Sequence, residues 1–155
     1  EAAIAAERDA LDAKIASLGE ERVANALASA KLEARKYKLS GKQKLIGECY
    51  DKAYKALCAL DGEQTKALIA TLLQTYAENG ETVYFAAKDT AVVTQAFLDG
   101  FGKQLKLGGA VDIDGGILLC GEGYDKDLSL AKLVDYAREK TEAAVAETLF
   151  GGTNV

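Results

Sequence analysis

EAAIAAERDALDAKIASLGEERVANALASAKLEARKYK, residues 1–38, decides the architecture. Ala, Leu, Glu, Lys and Arg, all strong helix formers, fill most positions; no Pro interrupts the stretch and Gly19 is its one glycine. It reads as one unbroken helix. At 1.5 Å per residue, about 36 residues make a rod of roughly 54 Å. The residues that follow should close into a globule about 35 Å across. Such a rod overhangs such a body, so its apolar side chains need a surface the body cannot supply. Ile4, Leu11, Ile15 and Leu18 recur at steps of seven, four and three, a heptad-like seam. Beyond Gly19 the rhythm loosens to Val23, Leu27 and Leu32 with alanines between. The eleven-residue step from Ile4 to Ile15 also suits straight or right-handed winding. So few large side chains predict a thin seam where two helices approach through alanine. Acidic and basic residues are equal in number from Glu1 to Lys38, as on a solvated face. The Ile and Leu stripe still calls for a partner.

The 155 residues suit one compact domain with an extension: a stalk helix over residues 1–40 and a globular domain over residues 41–155. A net charge of −5 argues against nucleic acid, whose binding depends on Lys and Arg neutralising phosphates. No apolar run approaches the roughly 18 residues of a membrane span, and no secretory leader pattern opens the chain. The expected location is the cytoplasm, on the periphery of a membrane complex and without insertion. There is no His, the usual general base near neutral pH and the commonest metal ligand. The absence of Met, even at position 1, predicts a fragment or a processed chain. Cys49, Cys58 and Cys120 form no CxxC pair, and no zinc site can be completed. They read as buried, inert thiols, with Cys49 on the apolar face of a helix.

Gly41 marks a break or bend. From Lys42 to Leu60 the residues Leu45, Ile46, Cys49, Ala53, Leu57 and Leu60 predict an amphipathic helix facing a core. Asp61-Gly62 punctuates, a second helix runs from Glu63 to Glu78, and Asn79-Gly80 ends it. Glu81 to Ala87 is a short strand. Asp89 or Thr90 caps a third helix through Phe101, with Val92, Val93, Ala96, Phe97 and Phe101 inward. Leu105 and Leu107, then Val111 and Ile113, alternate as strands, and Ile117 to Cys120 suits a strand buried on both faces. Gly121 and Gly123 turn the chain. Ser129 caps a last helix to Phe150, lined by Leu133, Val134, Ala137, Ala144, Val145 and Leu149. The order predicts an α+β fold: a long N-terminal helix followed by a small mixed sheet packed with helices.

The glycines from Gly108 to Gly123 do not make a phosphate loop. Gly115-Gly116 precede a strand, no GKS or GKT exists, and no dinucleotide fingerprint fits. Turns needing positive φ explain them. Asp112, Asp114, Glu122, Asp125 and Asp127 form an acidic run that matches no EF-hand loop. Alternation would point Asp112 and Asp114 to solvent, as on an edge that resists strand-to-strand aggregation. No nucleophile–base pair, metal site or cofactor site emerges, so the chain reads as non-catalytic.

Three segments resemble one family. Asp114-Gly115-Gly116-Ile117-Leu118-Leu119, then Asp127-Leu128-Ser129-Leu130-Ala131-Lys132-Leu133, then Glu147-Thr148-Leu149-Phe150, are similar to the E subunits of V-type and A-type ATPases. Asp127, Ser129, Leu133 and Leu149-Phe150 match the family pattern; Leu128 stands for its usual Asn and Lys132 for its usual Arg. The rod and the helices through Leu73 fit the family layout. The resemblance implies a peripheral stalk protein whose N-terminal helix pairs with a helix of a second stalk component, called G or H. Its globular domain would grip the catalytic A/B head, chiefly B, and resist rotor torque while ATP hydrolysis or synthesis is coupled to proton or sodium transport. Ile4, Leu11, Ile15 and Leu18 would bind the partner helix, and Val145, Leu149 and Phe150 would help clamp the head. The alternatives are a stator of a flagellar or type III export ATPase, a homodimeric coiled-coil adaptor, and a small-ligand or metal-binding regulatory domain.

Overall fold

The computed structural model describes residues 2–151. Its first element, α1, is a single α-helix of 57 residues, Ala2–Cys58. The break expected at Gly41 is absent. Glycine in a helix costs about 1 kcal/mol against alanine but keeps its amide donor, whereas proline would remove it. The chain divides into two compact units, Glu1–Leu45 and Ile46–Val155, with the boundary inside α1.

The second unit holds the last turns of α1, then α2 (Gly62–Tyr76), β1 (Thr82–Ala86), a 3-10 turn (Ala87–Asp89), α3 (Gln95–Asp99), β2 (Lys106–Val111), β3 (Gly116–Cys120), β4 (Asp125–Ser129) and α4 (Leu130–Phe150). This is the α+β arrangement of a long helix, a small mixed sheet and covering helices. Asp61 starts α2 through a capping box: its carboxylate accepts from the Gln64 amide at 2.8 Å, and Gln64 Oε1 accepts from the Asp61 amide at 3.3 Å. At the other end Lys103 Nζ donates to the carbonyls of Leu73, Gln74 and Ala77 at 2.9, 3.0 and 2.8 Å. The Leu73 carbonyl also accepts from the Ala77 amide at 3.2 Å, and a cation on these C-terminal carbonyls closes the helix two residues before the expected Glu78.

The sheet order is β2-β1-β3-β4, with β1 and β2 parallel and the other pairs antiparallel. Register places Val83 opposite Leu119, Phe85 opposite Ile117, and Ile117 opposite Leu128. These five side chains share one face and join Ile69, Leu72 and Leu73 of α2, with Val93, Leu98 and Leu105, in one buried cluster. The alternate positions Thr82, Tyr84 and Leu118 are half-buried, so the second face of the sheet is less completely covered than the first. The edge strand β2 is shielded at its start by a side chain imitating a neighbouring strand. Gln95 Oε1 accepts from the Leu107 amide at 3.1 Å, and Nε2 donates to the Leu105 carbonyl at 2.9 Å.

Several expectations are corrected. The helix placed from Asp89 or Thr90 to Phe101 is only α3, capped by Thr94, whose Oγ1 accepts from the Phe97 amide at 3.2 Å. Val92, Val93 and Thr94, three β-branched residues in a row, resist the helical turn before it; Ala96 is exposed. Asp125–Ser129 is a strand where no strand was expected, because Leu128 is its one apolar residue. Ser129 does stand at the start of α4, but its hydroxyl makes no capping bond; its amide donates to Asp127 Oδ1 at 2.9 Å. Leu45, Cys49 and Ala53 are exposed, and Cys58 and Cys120 only half-buried, so buried thiols are not found. The covered side of α1 runs through Ile46, Tyr50, Tyr54 and Leu57, and those residues lie beside it.

Gly116 shows what the glycines do. It opens β3 at φ +82°, and a Cβ there would strike the Leu128 carbonyl oxygen of β4. Gly116→Ala should therefore destabilise the second unit by about 1–3 kcal/mol. Denaturant titration of the two proteins measures the difference, and equal midpoints would refute the close-approach argument.

Candidate functional site

The residues singled out on the rod lie together on α1. Ile4, Leu11, Ile15 and Leu18 are exposed at 71, 59, 59 and 49 %. A helix rises 1.5 Å and turns 100° per residue, so steps of seven, four and three keep them on one side. The exposed apolar residues do not stop at Leu18: Val23, Leu27, Leu32, Leu39 and Leu45 are also open to solvent. Leu39 falls at the end of the expected stalk helix, and the break expected at Gly41 places Leu45 on a core-facing helix instead. Val145, Leu149 and Phe150 fall on α4 in the other unit; Leu149 is exposed and the other two are half-buried. An exposed row of aliphatic side chains binds by burial, each contributing about 1.5–3 kcal/mol when fully covered. Single exposed leucines need no explanation; here several stand exposed along one helix.

In the second unit an open groove of about 740 Å³ lies beside the last turns of α1, beyond the C-terminal ends of the parallel strands β1 and β2. Ala59, Ala87, Val111 and Ile113 give it apolar lining, and Lys55, Lys88, Asp112 and Asp114 give it charged lining of both signs. Lys88 Nζ donates to the Cys58 carbonyl at 2.9 Å, closing the end of α1. The Tyr54 hydroxyl donates to Asp114 Oδ2, and that carboxylate holds the phenol well above its ordinary pKa, keeping it protonated. Both aspartates are exposed, but they follow the end of β2 at Val111, so strand alternation is not the cause. Among the described residues no group of three His, Cys, Asp or Glu is gathered as a metal site.

A second cluster gathers at the opposite edge, around Lys126 of β4. Its ammonium meets Glu78 Oε1 at 2.7 Å, Glu81 Oε1 at 3.0 Å and the Tyr76 carbonyl at 3.0 Å, and sits 5.0 Å from the Tyr124 ring centre. Glu81 is 1 % exposed, and its other oxygen accepts from the Glu78 amide at 2.8 Å. The Lys126–Glu81 contact is an ion pair without hydrogen-bond alignment, since Oε1 lacks a properly directed donor. Burial pushes the Glu81 pKa upward, but the Glu78 amide and Lys126 outweigh it and the net shift is down. Glu78 is lowered mainly by its bond to Lys126, and Lys126 is raised mainly by its bond to Glu78. The part of Lys126 in this cluster has no trace in residue spacing, because it reaches Glu78 and Glu81 only through the β1–β3 and β3–β4 pairings.

Asp89 is the contrasting case. Its side chain is buried, and Oδ2 has no hydrogen-bond partner. Desolvation raises its pKa despite the neighbouring Lys88.

No protein-family profile and no curated protein sequence matches the chain.

Lys126→Ala should cost about 2–3 kcal/mol at neutral pH, because Glu81 would stay buried without its cation. The stabilisation from the two lowered glutamates is present above the ordinary glutamate pKa and is lost as pH falls through the folded values. The gap between wild type and variant in denaturant titrations should accordingly narrow on acidification. Asp89→Asn should do the reverse. A raised folded pKa means stability is full below the unfolded value and declines as pH rises through the folded one. The variant should gain stability at pH 7 and match wild type in acid; a loss at pH 7 would sink this account.

Proposed function

We propose that this chain is a non-catalytic peripheral stalk subunit of a rotary V- or A-type ATPase. It links the catalytic A/B head to the membrane sector and resists torque while ATP turnover is coupled to proton or sodium movement. The observation that carries the reading is α1: one helix without interruption over 57 residues, with Ile4, Leu11, Ile15 and Leu18 exposed on one side. A strut needs stiffness along its length, which an unbroken backbone ladder supplies, and a second helix to bury its hydrocarbon. The α+β unit that follows, with Leu149 exposed and Val145 and Phe150 half-buried near the end of α4, supports a role as the head-binding end. The segments around Gly115-Gly116, Ser129 and Leu149-Phe150 support the same family by resemblance. Among the described residues no helix is long and apolar enough to cross a membrane, which agrees with attachment through other subunits.

Mixing the chain with a helical stalk partner should raise helicity in circular dichroism and give one complex on gel filtration. Leu11→Ala and Leu18→Ala should each weaken that complex by about 1.5–3 kcal/mol. Pull-down with the full chain should recover the nucleotide-binding A and B subunits together with the helical partner. Recovery of neither, with no gain in helicity, would overturn the proposal.

A further inference from the structure

Because α1 runs through Gly41, its apolar spacing can be followed across the whole rod. Ile4, Leu11, Leu18, Asn25, Leu32, Leu39 and Ile46 stand seven residues apart without exception. The row reads the same in both directions from Asn25: Leu, Leu, Ile outward on each side. Leu11, Leu18, Asn25, Leu32 and Leu39 are exposed, whereas Ile46 is buried in the second unit, so the available row ends at Leu39. A strict seven-residue repeat drifts by about 20° per heptad on a straight helix, which favours left-handed winding around another helix.

Charge selects the occupant. From Ala5 to Val23 the rod is acidic, with Glu7, Asp9, Asp12, Glu20 and Glu21 against Arg8, Lys14 and Arg22. From Ala24 to Leu45 it is basic, with Lys31, Arg35, Lys36, Lys38, Lys42 and Lys44 against Glu33. We infer that the rod pairs with a second copy of itself, antiparallel, with Asn25 meeting Asn25 at the centre. Leu18 of each copy lies against Leu32 of the other, and Leu11 against Leu39. The acidic half of one copy covers the basic half of its mate, whereas a parallel pair would set like charges side by side. Each Asn25 amide offers both a donor and an acceptor to the other, and an amide in an otherwise apolar row fixes register at some cost in affinity. Ala10, Ala24 and Ala26 flank the row and leave room for close approach. Self-pairing uses the same side chains as the stalk partner proposed above, so the two are alternative states of one surface.

The test is sedimentation of the full chain, combined with oxidative cross-linking of Leu18→Cys and Leu32→Cys variants. Linked peptides are mapped by mass spectrometry to separate them from the native cysteines. A concentration-dependent dimer is expected, with a disulfide between positions 18 and 32 in the mixture and none between two copies of position 18. Reversing Lys31, Arg35 and Lys36 to Glu should weaken the dimer about tenfold or more. Reversing Glu20 and Glu21 to Lys in that background should recover much of the loss. Asn25→Leu should tighten the dimer and keep the 18-to-32 link, because charge and not the amide sets the orientation. A monomer at every concentration, 18-to-18 links with Asn25 in place, or indifference to charge reversal would overturn the inference. A monomer that still joins the helical stalk partner and the A/B head refutes self-pairing alone. A dimer that ignores those proteins refutes the stalk reading alone.

Discussion

The backbone ladder of α1 is the constraint on which the rest depends. With every interior amide bonded within the helix, the segment needs no partner for its polar groups, and only its side chains remain to be satisfied. Those side chains are exposed aliphatics set among alanines. Water solvates the charged residues between them at little cost, but hydrocarbon along one helix face gains only by burial. An unbroken helix and an exposed aliphatic row thus come from the same feature: a long proline-free run whose apolar residues are too sparse to make a core.

The second unit is built on a different principle. Its centre is the β1–β3 pair, where Val83 and Phe85 face Leu119 and Ile117 across the strands and α2 covers them. Around that apolar centre the edges are finished with polar devices. Lys103 caps α2, Gln95 occupies the open side of β2, and Lys126 holds the buried Glu81. The last turns of α1 are tied to this unit by bonds of the same kind: Tyr54 to Asp114, Lys88 to the Cys58 carbonyl, and Tyr50 to Thr141 at 2.8 Å. Hydrocarbon fixes the sheet and polar bonds fix what surrounds it. The buried Asp89 stands apart as a carboxyl whose Oδ2 has no hydrogen-bond partner.

Local patterning made the helices legible. Ala-rich composition announced α1, Asp61 announced the start of α2, and the aliphatic run of β3 stood out against its glycines. Residues whose role depends on distant partners did not stand out. Lys126 and Lys103 look like any surface lysine until β4 and the loop before β2 bring them to their acceptors. β4 carried one apolar residue and so no periodicity to detect. Gly41 misled for a related reason: a glycine signals a break only statistically, and the surrounding helix formers outvoted it.

Chemistry along the chain was therefore enough to set the long helix, the α+β order and the exposed row of Ile4, Leu11, Ile15 and Leu18, since each rests on residues within a few turns of one another. Tertiary structure alone decided that Asp125–Ser129 joins the sheet, that Cys49 stays in solvent, and that Glu81 is buried beside Lys126. The physical reason is range. Helix propensity and capping act over three or four residues, whereas strand pairing and burial join residues far apart in the chain, and no local pattern carries that information.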